Sequence, residues 1–243
     1  MKKVISIMVV LCVAAALFAT GTVKVGGAFD FVDGKTAKFE AGAVGSSMLY
    51  KTNGFGFDVS GRYDVSGGFS VWADFNMTFN SDIKTKAEGA GEWASLSDLA
   101  EEIEEEIGGA AKAKTSVYDM SGAVGVAIKL PVAPVVDLAV GGGVFAETVT
   151  IKGSASVPEN VNTSIHKLEV TCRFVNIGVT AYADAAYKFT PNFGVGLTIM
   201  PRVGLLNFST ISGARDKEVE TYKARGFAAS FSMPVVVGVS YSF

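Results

Sequence analysis

The feature that most constrains this chain is a two-residue alternation of apolar and polar side chains that returns in segment after segment. In RYDVSGGFSVWADFNMTF, residues 62–79, an apolar side chain occupies every second position from Phe69 to Phe79, and the positions between them hold Trp72 and polar residues. This period predicts a β-strand with one apolar face. The apolar face would turn inward in a soluble sheet but outward, toward lipid, in a small membrane barrel.

Alternating segments of about ten residues, the length typical of barrel strands, recur eight times. They fall near 22–31, 55–65, 69–79, 117–130, 135–151, 166–189, 193–205 and 222–243. The connections 32–54, 80–116, 152–165 and 206–221 are long, whereas 66–68, 131–134 and 190–192 are short. Because long and short connections alternate, the long ones gather at one end of an antiparallel sheet. This sorting is typical of membrane barrels, which have short turns on one side and long loops on the other.

A ten-strand count is the alternative, with an extra strand at 38–49 and a break inside 166–189. Two similar stretches argue against it, YDVSGGFSV at 63–71 and YKFTPNFGV at 187–195. Turns this similar are expected at the same end of the sheet, which only the eight-strand count allows.

The first 21 residues have the composition of a secretory signal. Lys2 and Lys3 precede an apolar run from Val4 to Phe18, and small residues follow up to Gly21. We therefore expect cleavage near Gly21 and a single barrel domain over 22–243. With Cys12 removed, Cys172 is the only cysteine left, so no intrachain disulfide is expected.

Bulk composition favours burial in something other than water. Hydrophobic residues make up 49% of the chain, charged residues 19%, and the mean hydropathy is +0.36. The acidity is concentrated in one place, since residues 80–116 hold four lysines and nine acidic residues while the whole chain has a net charge of −3. This distribution argues against a nucleic-acid partner, which requires a basic surface.

The last segment, MPVVVGVSYSF, ends in Phe243, and Tyr241 and three valines share its face. Here the chain resembles the bacterial outer-membrane β-barrels, in particular the small eight-stranded OmpA/OmpX/OmpW type. The resemblance implies an all-β, eight-stranded antiparallel transmembrane barrel in the bacterial outer membrane. It also implies contact with membrane lipids, and recognition of Tyr241 and Phe243 by the barrel-insertion machinery.

In such a barrel the alternation assigns each side chain to a face. The apolar set of 69–79 faces lipid, as do residues such as Phe55, Val126 and Val237. The interior of an eight-stranded barrel is only wide enough to be filled by side chains, so charges there need partners. We expect a paired network, or alternatively a gate on a solute path, made by Asp58, Arg62, Asp74, Asp137, Asp184 and Arg202.

The most individual feature is the acidic stretch SLSDLAEEIEEEIGG within the long loop 80–116. Ser95 is a candidate N-cap, Leu96, Leu99, Ile103 and Ile107 have helical spacing, and Gly108 is a stop signal. An amphipathic helix is therefore expected near 95–107. Its acidic face comprises Asp98, Glu101, Glu102, Glu104, Glu105 and Glu106.

Two signals for other functions are weak. Gly141–Ala146, GGGVFA, fits a dinucleotide-binding pattern, but the β-branched stretch after it cannot supply the required helix. His166 is the only histidine, so it has no partner for a metal set or a catalytic triad. We expect no enzyme activity, no cofactor and no metal.

The first function hypothesis is therefore a non-enzymatic outer-membrane barrel whose surface loops serve a structural role or contact a host or envelope partner. A narrow channel or transporter for small apolar solutes is the alternative. A secreted, soluble, lipid-binding β-protein is a third hypothesis.

Overall fold

The computed structural model describes residues 21–38, 47–87, 92–95, 98, 112–156, 167–215 and 218–243, and nearly all of them lie in antiparallel β-strands. No helix in these ranges is long and apolar enough to cross a membrane. The strands are β1 (Gly21–Lys35), β2 (Met48–Ser66), β3 (Phe69–Ala87), β4 (Ala94–Ser95), β5 (Lys112–Ala133), β6 (Val136–Ser156), β7 (Lys167–Lys188), β8 (Phe193–Ile199), β9 (Arg202–Arg215), β10 (Glu218–Ser232) and β11 (Val235–Ser242).

The long strands form a closed ring of eight. β8 and β9 are two halves of one wall strand, interrupted at Met200–Pro201, and β10 and β11 are halves of the next, interrupted at Met233–Pro234. Proline has no N–H to donate, but its carbonyl still accepts: Ala181 N donates to Pro201 O at 2.9 Å and Met200 N to Pro234 O at 3.0 Å. The predicted eight-stranded barrel is confirmed, and the ten-strand alternative is wrong because β7 runs unbroken.

The first and last strands close the ring. β1 pairs with β11 from Thr22–Ser242 to Phe29–Val235 and with β10 further along. Gly21 and Phe243 exchange two backbone hydrogen bonds, of 3.2 and 3.1 Å. Closure pairs both edges of the sheet with each other along this part of the ring, so they are not open to aggregation there.

The two ends of the barrel differ. At one end, called here the turn end, the connections are short, and Gly67 and Gly68 form a tight turn at φ 59° and 84°, a conformation that glycine adopts without strain. The other end, called the loop end, carries the connections 36–47, 88–111 and 157–166 and the hairpin at 216–217.

That hairpin corrects a prediction. Residues 206–221 were expected to form a long loop, but β9 and β10 pair as far as Arg215 and Glu218. The apolar residues end before the strands do, and the polar residues beyond them continue the backbone ladder. β5 and β6 are also longer than expected, with 22 and 21 residues, whereas β7 matches the expected segment 166–189 closely.

The outer surface of the barrel is an apolar band between two rings of aromatic residues. Side chains in the band are open to the surroundings, with 60% of Val126 and 64% of Val237 exposed. Along β3, Phe69 and Phe79 mark its two borders, and with a strand tilt of about 40° they lie about 25 Å apart along the barrel axis. The aromatic ring at the turn end comprises Tyr63, Phe69, Tyr187, Phe189, Phe193 and Tyr241, and the ring toward the loop end comprises Phe55, Phe79, Phe208 and Phe227.

A charge placed in the middle of this band is expected to prevent stable insertion. Val124→Arg should destabilise the folded barrel by about 2–4 kcal/mol, because the guanidinium loses its hydration at the centre of the bilayer. The measurement is the urea midpoint of unfolding in phospholipid vesicles.

The matched control is Ser116→Arg, on the same face of the same strand but outside the band, which should change the midpoint little. Equal tolerance of arginine at both positions would contradict the assignment of the band to lipid.

Candidate functional site: the barrel interior

The described part of the interior holds many charged side chains with little or no exposure to solvent. Seven of them are carboxylates and three are bases, an imbalance that matters because each buried charge needs a partner. The members are Asp30, Asp58, Asp74, Asp119, Asp137, Glu147, Asp184, Lys24, Arg62 and Arg202.

At the turn end the charges are well paired. Arg62 lies 2.6 Å from Asp137 and 3.2 Å from Asp184, with both partners almost fully buried. Lys24 bonds the same Asp184 and donates to Thr198 at 2.7 Å. These contacts join β1, β2, β6, β7 and β8, so one polar cluster braces several walls of the barrel.

Next to this cluster an aromatic stack crosses the lumen. Trp72 and Tyr182 lie parallel, with ring centroids 4.5 Å apart, and Trp72 Nε1 donates to the carbonyl of Val126 at 3.2 Å. Gly125 makes room for the indole, because a Cβ there would lie 2.7 Å from the ring. Met200 packs into the same cluster, so bulky side chains fill the lumen at this level.

The middle of the barrel contains most of the unbalanced acid. Arg202 lies 3.0 Å from Asp74 and donates to Ser121 at 2.6 Å, and its guanidinium sits 5.5 Å from the centre of the Phe145 ring. Asp58 lies against Asp74. Beyond them Asp30, Asp119 and Glu147 bring carboxylate oxygens within 4.8 Å of one another.

Toward the loop end the interior becomes apolar. Asn176 connects the two regions by donating to Glu147 at 3.1 Å and to the Tyr50 hydroxyl at 2.7 Å. Tyr50 stacks on Phe174 at 4.6 Å between ring centroids. The cluster around this stack comprises Val32, Tyr50, Ile83, Val117, Val149, Ile151 and Phe174, all nearly or fully buried.

All six residues expected in a charge network lie in the interior, but they form two groups. Arg62, Asp137 and Asp184 lie at the turn end, whereas Asp58, Asp74 and Arg202 lie in the middle. Sequence reasoning missed Lys24, Asp30 and Asp119. Strand alternation could have placed them inside, because Lys24 and Asp30 lie on the same face of β1 as the buried Ala28, and Asp119 lies on the same face of β5 as the buried Ser121.

The remaining predicted residues lie at the two ends. The Tyr241 side chain, 44% exposed, packs against Phe193 at the turn end, where Phe243 pairs with Gly21. Of the predicted acidic helix, Ser95 is buried in β4 and Asp98 is helical and exposed. Glu101, Glu102, Glu104, Glu105 and Glu106 lie outside the described residues, as do His166 and residues 1–20.

The 88–111 connection between β3 and β5 is attached to the barrel wall at β4. β4 pairs with β3 through Lys84–Ser95 and Thr85–Ala94. The Trp93 ring is contacted by the ammonium groups of Lys51 and Lys86, at 5.2 and 5.3 Å from the ring centre. These contacts hold the loop against the outside of the wall.

Removal of the central base at the turn end should be costly. Arg62→Met keeps much of the side-chain volume but leaves Asp137 and Asp184 with less positive charge, so a loss of about 3–5 kcal/mol in the free energy of unfolding is expected. Urea titration of the barrel in detergent micelles measures it.

The matched control is Lys51→Met, which removes a solvent-exposed pair with Asp33 of 2.9 Å and one of the two cation–π contacts of Trp93, and should cost about 1 kcal/mol. Similar losses for the two variants would contradict the assignment of Arg62 as a buried bridge.

The comparisons with known proteins agree with this geometry. No protein-family model and no curated protein matches the chain. The outer membrane protein OprG from Pseudomonas aeruginosa aligns with a TM-score of 0.52 and 11% identity, over 93% of this chain and 97% of that one. A major outer membrane protein from Thermus thermophilus aligns with a TM-score of 0.52 and 15% identity, over 90% and 99%. The chain thus has the fold of the small eight-stranded bacterial outer-membrane β-barrels, as the resemblance of its last strand predicted.

Proposed function

We propose that this chain is a non-enzymatic bacterial outer-membrane protein that acts through its loop end, where its loops contact a host or envelope partner or serve a structural role. A filled lumen beneath a large loop end is the observation that carries the proposal. In this account a signal segment that ends near Gly21 directs export and is removed, and the last strand is read by the barrel-insertion machinery through Tyr241 and Phe243.

The outer band supports the membrane location. Its height of about 25 Å between aromatic rings equals the apolar height of outer-membrane barrels. A soluble protein rarely exposes a contiguous apolar surface of more than a few hundred Å². A band that surrounds the barrel therefore disfavours the secreted, soluble alternative.

The interior supports a barrel that does not conduct. The Arg62 cluster, the Trp72–Tyr182 stack and the apolar cluster around Tyr50 follow one another along the axis. Each is made of buried side chains packed against one another, so no open path runs through these levels. A substrate therefore has poor access to the acidic and basic groups of the interior.

The loop end supports contact with a partner. β7, with 22 residues, is about 70 Å long, and at a tilt of about 40° it extends far beyond a 25 Å apolar band. Longer loops of such barrels face the cell exterior. β4 and Trp93 attach the described part of the 88–111 connection to the wall.

Conductance tests the closed lumen. Purified barrel in a planar bilayer should give no steady current, and Arg62→Ala should also give none, because the aromatic stack and the apolar cluster still fill the lumen. Open-channel steps from the unmodified protein would contradict the proposal and favour a pore.

Access from the cell surface tests the orientation. An epitope inserted between residues 100 and 101 should bind antibody on intact cells, whereas one inserted at Gly67–Gly68 should bind only after the outer membrane is ruptured. The reverse result would place the loop end in the periplasm.

Transport of small apolar solutes is the second candidate, favoured by the apolar lining of the interior at the loop end. Uptake of a fluorescent apolar probe into vesicles containing the barrel, compared with protein-free vesicles, tests it. Faster uptake that Val149→Asp abolishes would favour transport over a purely surface role.

A further inference from the structure

Three carboxylates from different parts of the ring converge in the barrel interior. Asp30 lies on β1, Asp119 on β5 and Glu147 on β6, with 1%, 0% and 1% of their surfaces exposed. Around the ring of eight, β1 is three strands from β5 and four from β6, so the carboxylates meet across the lumen. One oxygen from each lies within 4.8 Å of the others.

Within the described barrel these carboxylates, like Asp58, lack the ion pairs that Asp74, Asp137 and Asp184 make with buried bases. Among the described residues, no hydrogen bond of ordinary geometry reaches either oxygen of Asp30 or Asp119, whose carboxyl groups lie against each other, and one oxygen of Glu147 also has none. The buried bases contact other acids: Lys24 bonds Asp184, Arg62 bonds Asp137 and Asp184, and Arg202 bonds Asp74. Adjacent buried carboxylates repel one another, so the cluster requires positive charge from another source.

Two neutral oxygens flank the same place. Thr78 has no exposed surface and its Oγ1 has no hydrogen-bond partner, and it lies directly across the β3–β5 ladder from Asp119. The Oδ1 of Asn80 is likewise buried and without a partner. It lies over Gly54, the cross-strand neighbour of Asp30, where a Cβ would collide with it. Each oxygen has lone pairs that no hydrogen-bond donor uses among the described residues, as expected of oxygens that ligate a cation.

We propose that Asp30, Asp119 and Glu147 bind one calcium ion inside the barrel, with Thr78 Oγ1 as a neutral ligand. An all-oxygen set suits calcium or magnesium. Magnesium keeps several of its waters and requires a near-ideal octahedral shell, whereas calcium accepts an irregular set of protein oxygens, so a buried group of side-chain oxygens favours calcium. The bound ion joins β1 to β5 and β6 across the lumen.

The test must load the site during folding, because the filled lumen slows exchange afterwards. The full chain is refolded from urea into detergent micelles with calcium chloride, with magnesium chloride, or with EDTA, and free ion is removed by gel filtration. Atomic emission should find one calcium per folded chain and little magnesium. The calcium-loaded barrel should also unfold at a higher temperature than the barrel refolded in EDTA.

Variants separate this site from calcium held elsewhere. Asp119→Asn and Glu147→Gln should each lose most of the bound calcium. Asp58→Asn, which removes a buried carboxylate outside the three, should retain it. Folding of every variant is checked by heat-modifiable migration on gels.

Two results would overturn the proposal. One is an unmodified chain that refolds equally well in EDTA and retains no calcium, which would mean that the carboxylates are neutralised by protons. The other is equal calcium retention by Asp119→Asn and the unmodified chain, which would place the ion elsewhere.

Discussion

The structure depends on the closure of the backbone ladder between the first and last strands. β1 pairs with β11 from Thr22 to Phe29 and with β10 from Val32 to Gly34, so the hydrogen bonds of one strand edge satisfy those of the other. Closure with eight strands leaves an interior that side chains can just fill. Every alternate side chain must then enter that narrow space, and every other one must face outward.

The inward-facing side chains change in character along the barrel axis, from charged at the turn end to largely apolar toward the loop end. Near the turn end, Arg62 and Lys24 balance Asp137 and Asp184. In the middle, acid exceeds base, and Asp30, Asp119 and Glu147 are left close together. Toward the loop end the bulky side chains inside form an apolar cluster around Tyr50 and Phe174. Ion pairs therefore stabilise the turn end of the interior, and apolar packing stabilises the part toward the loop end. On the outside, Trp93 attaches a long connection to the wall.

Much of this could be predicted from the sequence because β-strand alternation is local. The outward position of Phe69 and Val126 and the inward position of Arg62 and Asp74 follow from the alternation and from the terminal Phe243. The partners could not be predicted, because Arg62 meets Asp184 only after most of the chain has closed into a ring. Strand ends were also missed: β9 and β10 continue through polar residues to Arg215 and Glu218, and backbone pairing does not require apolar side chains there. The alternation could have placed Asp30 and Asp119 inside, but their proximity could not be predicted, because β1 and β5 are far apart in sequence and these side chains meet only across the lumen.

The central claim is that the apolar face of the alternation lies against lipid while the other face fills the lumen. Spin labels placed singly at positions 124 to 128, in a Cys172→Ser background reconstituted into phospholipid vesicles, measure this most directly. Collisions with dissolved oxygen should be frequent at 124, 126 and 128 and rare at 125 and 127. A reversed pattern, or one without a two-residue period, would contradict the account.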